Sequence, residues 1–258
     1  GHLPIEMEVG AKTYLFHVVP VPEFDFVNIY GTDVTAAKDN EQILVKLAKY
    51  FSPQVYDSIF SGDLEVKIQT KRKRLTVFFS DIKGFSEITE RLEPEVLTVL
   101  ITEYLTAMTD IAVRHGGTVD KYIGDALMAF WGAPEDMEDA PVRACYCAMA
   151  IADALERDNA KRRQEGLPPV YVRIGLHAGS ALVGNIGAEG RVNYTVIGDT
   201  VNTGARLCSV AKAGQCLISR HTYDRVKDYF EVVELPPQQV KGKARALRVY
   251  NVVVIDFT

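Results

Sequence analysis

Asp81 and Asp125 are the residues through which this sequence could do chemistry. The apolar run Thr76 to Ser80 has the pattern of a strand and leads straight into Asp81, with Gly84 close behind. Asp125 follows Gly124 in "GTVDKYIGDALMAFWG", where two strand-like runs flank a turn. An aspartate between a strand and a helix is a common N-cap, and that is the plain structural explanation of Asp81. A second carboxylate at a neighbouring strand end favours another one. Two unpaired carboxylates side by side repel each other, and a hard divalent cation between them removes that repulsion. Mg²⁺ suits such a site, because it takes few carboxylates and completes its shell with water and phosphate oxygens. The Ile82 carbonyl is placed to add a ligand, and Gly84 and Gly124 would let backbone come close to a phosphate. Two metals there would activate a hydroxyl and steady a leaving oxygen in line. Polymerases and diguanylate cyclases use a similar pair of aspartates, so the pair alone leaves the reaction open.

Several elements must position these side chains. Pro94 to His115 carries a broad apolar face at helical spacing, ended by Gly116-Gly117. A second helix is expected from Asp139, as its cap, to Gln164. "VYVRIGLHAGSALVGNIG" reads as a long pair of strands and "VNYTVIG" as another. A short helix runs from Asp199 to Cys208 and another from Arg220 to Asp228, with strands near 230–234 and 247–254. The order β-α-β-β-α-β predicts an α+β fold with a ferredoxin-like core and C-terminal additions. In that sheet the strands ending near Asp81 and beginning near Asp125 are neighbours.

Ahead of this domain, which is expected over residues 75–258, residues 1–36 read as two or three strands, too few for a core of their own. Residues 37–74 read as a helical linker. Its first helix is expected from Asp39, with an apolar stripe through Ile43, Leu44, Leu47, Ala48 and Phe51 that suits a parallel dimer or packing on its own domain. "KRKR" at Lys71–Arg74 reads as a solvated approach to the next strand.

Composition narrows the classes. The 258 residues are 47% hydrophobic and 24% charged, which is globular. A net charge of −5 argues against a nucleic-acid partner. Cys145, Cys147, Cys208 and Cys216 form no CxxC, and the five histidines form no metal motif, so the cysteines read as buried apolar residues in a reducing compartment. No apolar stretch was expected to reach membrane-spanning length and no signal peptide is visible, which predicts a cytoplasmic chain; a longer parent could be membrane-associated.

"FFSDIKGFS", "KYIGDALMAFWG", "RIGLHAG" and "YTVIGDTVNTGARL", followed by a late "VKGK", together resemble the class III nucleotidyl cyclase catalytic domain over about Leu75 to Val254. The resemblance implies the cyclisation of ATP to 3′,5′-cyclic AMP and pyrophosphate, with two Mg²⁺, replaceable by Mn²⁺, on Asp81, the Ile82 carbonyl and Asp125. It implies that Lys121 and Thr195 read the purine. Lysine there fits adenine N1, whereas guanylyl cyclases tend to carry Glu and Cys. Threonine is similar to the bicarbonate-responsive, soluble branch. Asn202 would orient the ribose and Arg206 would stabilise charge on the α-phosphate, and one helical turn between them puts both on one face. Arg173 and Lys241 resemble the cations that bind the triphosphate.

In the family each site is shared between two chains. One chain would supply Asp81, Asp125 and Arg173, the other Lys121, Thr195, Asn202, Arg206 and Lys241. All are present here, as a homodimer needs. Residues 1–36 resemble the last strands of a PAS sensor, which implies an upstream sensor in the parent protein. A guanylyl cyclase and a non-catalytic nucleotide-binding dimerisation module are the alternatives.

Overall fold

The computed structural model describes residues 4–62, 67–239 and 246–253. The chain divides into two compact units, Gly1–Ser52 and Pro53–Thr258.

In the first unit β1 (Ile5–Val9), β2 (Lys12–Val21) and β3 (Phe26–Asp33) form an antiparallel sheet in that order. Helix α1 (Thr35–Ala48) follows. It begins four residues ahead of the expected Asp39, because Asp33 fixes its start: the Asp33 carboxylate accepts the Thr35 amide at 3.0 Å and the Thr35 hydroxyl at 2.6 Å. This Asx-type turn supplies the local bonds that a helix start requires.

The second unit opens with α2 (Pro53–Phe60) and β4 (Gln69–Ile82). Then come α3 (Phe85–Arg91), α4 (Pro94–Arg114), β5 (Thr118–Ile123), β6 (Ala126–Trp131), α5 (Ala140–Gln164) and β7 (Val172–Ala188). The chain continues through β8 (Arg191–Ile197), α6 (Asp199–Val210), β9 (Cys216–Ser219), α7 (Arg220–Val226), β10 (Glu231–Gln238) and β11 (Leu247–Val253). The sheet order is β10-β11-β9-β7-β4-β6-β5, with β8 paired to β7. Its centre, β7-β4-β6-β5, is the antiparallel ferredoxin-like arrangement of the unit β4-α4-β5-β6-α5-β7, as the sequence predicts.

Strand alternation divides the core. Phe78 and Ile82 of β4 face α4 and α5, where they pack with Tyr104, Met108, Ala148 and Ile151. Leu75, Val77 and Phe79 face the other way, onto Phe130, Val183, Val196 and Cys208. Asp81 shares the parity of this second set, so its side chain leaves the sheet on the face that α6 covers. α6 sits very close to the sheet: a Cβ on Gly175 would collide with the backbone of Cys208 and Gly204.

Four expectations need correction. "KRKR" lies inside β4, paired through Lys71↔Val183 to Arg74↔Ser180, and is not an approach to the strand. β7 is one continuous strand along the whole of β4, and its hairpin partner is the separate strand β8. α3 and the four-residue β9 were not foreseen; both are too short for a periodic signal. Finally, α4 is long and apolar enough to cross a membrane by length and composition alone. Here it buries Tyr104, Met108, Ile111 and Ala112 against the sheet.

Candidate active site

β4 and β6 are antiparallel, with Ser80 opposite Leu127, so the end of one meets the beginning of the other. The β5–β6 turn thereby brings Asp125 beside Asp81. Asp125 Oδ2 accepts the Ile82 amide at 2.7 Å. Burial, aided by the Asp81 charge, raises the Asp125 carboxyl above its ordinary pKa. Asp81 pairs with Arg173, which stands opposite it across β4 and β7. The guanidinium is bidentate, Nε to Oδ1 at 2.5 Å and Nη2 to Oδ2 at 2.9 Å. That hydrogen bonding to Asp81 raises the Arg173 pKa further. Its Nη1 donates to the Ser209 carbonyl at 2.8 Å, near the C-terminal end of α6, where a cation also favours the helix dipole.

Asp81 is therefore not a helix cap. The N-cap of α3 is Gly84, at φ +75°. Gly124, at φ +65°, serves the β5–β6 turn. A Cβ at either glycine would meet nothing within 4 Å, so the left-handed backbone, not a close approach within the chain, is what asks for glycine.

This donor set fits a divalent cation. Asp81 already holds a cationic guanidinium across both oxygens, and the half-buried Asp125 carboxylate gains from a neighbouring positive charge. Among the described residues no group of three or more His, Cys, Asp or Glu side chains could hold a metal. Two carboxylates and the Ile82 carbonyl are an open set, suited to an ion that also takes phosphate oxygens.

A second cluster joins β5 to β8. Lys121 Nζ donates to Thr195 Oγ1 at 3.1 Å, and Thr195 Oγ1 donates to Asp120 Oδ2 at 2.6 Å. Lys121 Nζ also lies 3.1 Å from Asp120 Oδ1, which takes no directional hydrogen bond, so that contact is purely ionic. The Asp120 side chain is 1% exposed. Sequence reasoning missed Asp120. Strict alternation would send it to the face opposite Lys121. The β5–β6 register slips between Val119 and Lys121, leaving Asp120 at a bulge that turns both side chains toward Thr195.

Asn202 and Arg206 lie on α6, exposed and half-buried respectively. Neither side chain has a hydrogen-bond or ion-pair partner among the described residues. Lys241 lies outside the described residues. The cysteines are all free and buried, and burial pushes the Cys147 and Cys208 thiols up to about 12, so neither is a nucleophile.

Residues 66–253 match the family described as the adenylate and guanylate cyclase catalytic domain. The chain belongs to that family. Adenylate cyclase 1 of Rhizobium meliloti is 35% identical over 184 residues, covering 70% of this chain and 28% of that protein. This chain thus spans less than a third of that relative's length. The crystal structure of the adenylyl cyclase CyaB from P. aeruginosa is 40% identical, with a TM-score of 0.70 over 73% of this chain and 97% of CyaB. The guanylyl cyclase Cya2 is 32% identical, with a TM-score of 0.66 over 72% of this chain and 94% of Cya2. Cyclases named for either nucleotide therefore share this fold, and the fold alone does not choose between them.

Proposed function

We propose that this chain is the catalytic part of an adenylyl cyclase that converts ATP to 3′,5′-cyclic AMP and pyrophosphate. The observation that carries the choice of nucleotide is the Lys121–Thr195–Asp120 cluster. Lysine has three donors and no acceptor. It complements adenine N1, an acceptor, and opposes guanine, whose N1–H and amino group are donors. Buried Asp120 holds the Lys121 ammonium and the Thr195 hydroxyl in place.

Asp81, the Ile82 carbonyl and Asp125 would hold divalent metal, which would supply charge to acidify the ribose 3′-hydroxyl and to neutralise the departing pyrophosphate. Arg173, no longer needed to neutralise Asp81, is free to meet a triphosphate oxygen. Asn202 orients the ribose. Arg206 places its charge where the α-phosphate gains negative charge, a contribution of about 10²–10³ in rate for one donor elsewhere. Lys241 holds the leaving pyrophosphate. Asn202 and Arg206, without side-chain partners among the described residues, serve the site of a second copy in a homodimer. Residues 1–36, whose strand pattern resembles the last strands of a PAS sensor, would belong with a sensor domain of the parent protein.

The guanylyl alternative is favoured by the likeness to Cya2. Turnover of ATP and GTP with Mg²⁺ and with Mn²⁺, with and without bicarbonate, decides between the two. Cyclic AMP as the main product is expected. A preference for GTP overturns the adenine assignment, and no cyclic nucleotide from either overturns the enzyme reading.

A further inference from the structure

The function proposed above leaves the basic run in β4 unused. β6 pairs with β4 only from Thr76 to Ser80, whereas β7 follows β4 from Gln69 to Ile82. The N-terminal half of β4 thus runs past β6, and an open cavity of about 1020 Å³ lies along it. Alternation places Arg72 and Arg74 with Thr76 and Phe78, on the side of the sheet that carries α5. Arg225 comes to the same cavity from α7, and Lys71, His177 and His221 complete its basic lining.

The charges there are not balanced. Lys73 is committed, with Nζ 2.7 Å from the Pro134 carbonyl and 3.0 Å from Asp136. His177 Nδ1 is 2.6 Å from the Ser219 hydroxyl, and its ring meets that of His221 edge-on at 6.0 Å. Lys71, Arg72, Arg74 and Arg225 have no ion-pair or hydrogen-bond partner among the described residues. Against these four cations stands Glu138, a lining carboxylate that likewise has no partner there. Overall the chain carries −5, so this concentration of positive charge runs against its balance. A basic run on an exposed strand is ordinarily a solvated face. Here a cation from a distant helix meets the run in one concavity, where like charges repel unless an anion lies between them. The first turn of α5 also borders the cavity, but its amides are spent: Ala140 bonds the Met137 carbonyl, residue 141 is proline, and Val142 bonds the Asp139 carbonyl. Side chains, not the helix end, are what remains to hold a ligand.

We propose that this groove binds a phosphate-bearing anion, gripped by Arg72, Arg74 and Arg225, with Lys71 adding charge at its edge. Guanidinium forks match phosphate oxygens in pairs. The cavity has the size of an ordinary small-molecule site. At a strand rise of about 3.3 Å per residue, Arg74 is roughly 20 Å from Asp81 along β4, so the groove is separate from the carboxylate site. The same chemistry is offered by a soluble polyphosphate and by the headgroup of an anionic lipid.

Calorimetric titration of the full chain with inorganic tripolyphosphate in EDTA tests the groove without metal-dependent binding at Asp81 and Asp125. Sedimentation with phosphatidylglycerol vesicles, against phosphatidylcholine vesicles, tests the lipid source. Binding is expected to fall at least tenfold in the Arg74→Gln/Arg225→Gln double variant and to be unchanged in Arg206→Ala. Tripolyphosphate binding alone assigns a soluble ligand, and selective binding of phosphatidylglycerol vesicles alone assigns a headgroup. Binding that survives the double variant, binding lost only in Arg206→Ala, or no binding of either probe to the wild type overturns the proposal. The unliganded double variant should melt no lower than the wild type, since it loses only uncompensated charge. A clear fall would make the arginines structural and would also overturn it.

Discussion

The carboxylate end of β4 and the polar face of α6 belong to one proposed reaction but stand in opposite states. Asp81 has both oxygens bonded by Arg173, and Asp125 takes the Ile82 amide. Asn202 and Arg206 on α6 have no side-chain partner among the described residues. The carboxylates sit at the meeting of two core strands, and the fold supplies each with a hydrogen-bonding partner. The α6 side chains reach water and can wait for theirs. In the proposed site one half thus has its side chains paired within the chain, and the other has no side-chain partner among the described residues.

The strongest way to break that comparison is to damage each half in turn. Asp81→Ala and Asn202→Ala should each lower cyclase turnover about 100-fold or more. Mixed and allowed to exchange subunits, they should recover toward roughly a quarter of wild-type activity, because half of the dimers keep one site with both halves intact. No recovery, with exchange confirmed by native mass spectrometry, would mean that Asn202 serves its own chain.

A smaller effect sharpens the role of α6. Gly175→Ala forces a methyl group into the α6 backbone at Cys208 and Gly204. Overpacking of this kind costs about 1–3 kcal/mol. Thermal denaturation should show a drop in Tm of roughly 2–10 °C for a unit of this size. An unchanged Tm would mean that α6 is less tightly seated than its glycine contacts indicate.

The smallest effect concerns the carboxylates without metal. The folded chain raises the Asp125 pKa, so it holds that proton more tightly than the unfolded chain does. The resulting stability is fully present below the ordinary carboxylate pKa and is lost as pH rises through the raised value. In EDTA, Asp125→Asn should therefore raise Tm slightly at about pH 7 and leave it unchanged at about pH 3. The opposite order would mean that Arg173 stabilises both carboxylates together.

Much of this was legible in local sequence. The apolar run before Asp81, the Gly124-Asp125 turn and the helical faces of α4 and α5 each depend on near neighbours, and the structure has them where those patterns put them. β7 was misread as two strands because Gly175, Gly179, Gly184 and Gly187 look like breaks. Two of them are packing positions: Gly175 lies under the α6 backbone, and a Cβ on Gly179 would stand 2.6 Å from the Thr200 hydroxyl. Nothing within β7 announces what will pack on it. Asp120 was missed for a related reason, since a bulge shows only in the register against β6.

By itself the sequence determined which groups could take part, because residue type and periodicity are local and the motifs carry them: two acids at strand ends, a lysine and a threonine within the motifs, an asparagine and an arginine one turn apart. Only the tertiary structure decided which of them meet. Pairing of β4 with β7 set Arg173 on Asp81, and the slip in β5 set Asp120 under Lys121 and Thr195. Those pairings join residues far apart in the chain. Their physical cause is strand register, a property of two strands together that neither strand's sequence contains.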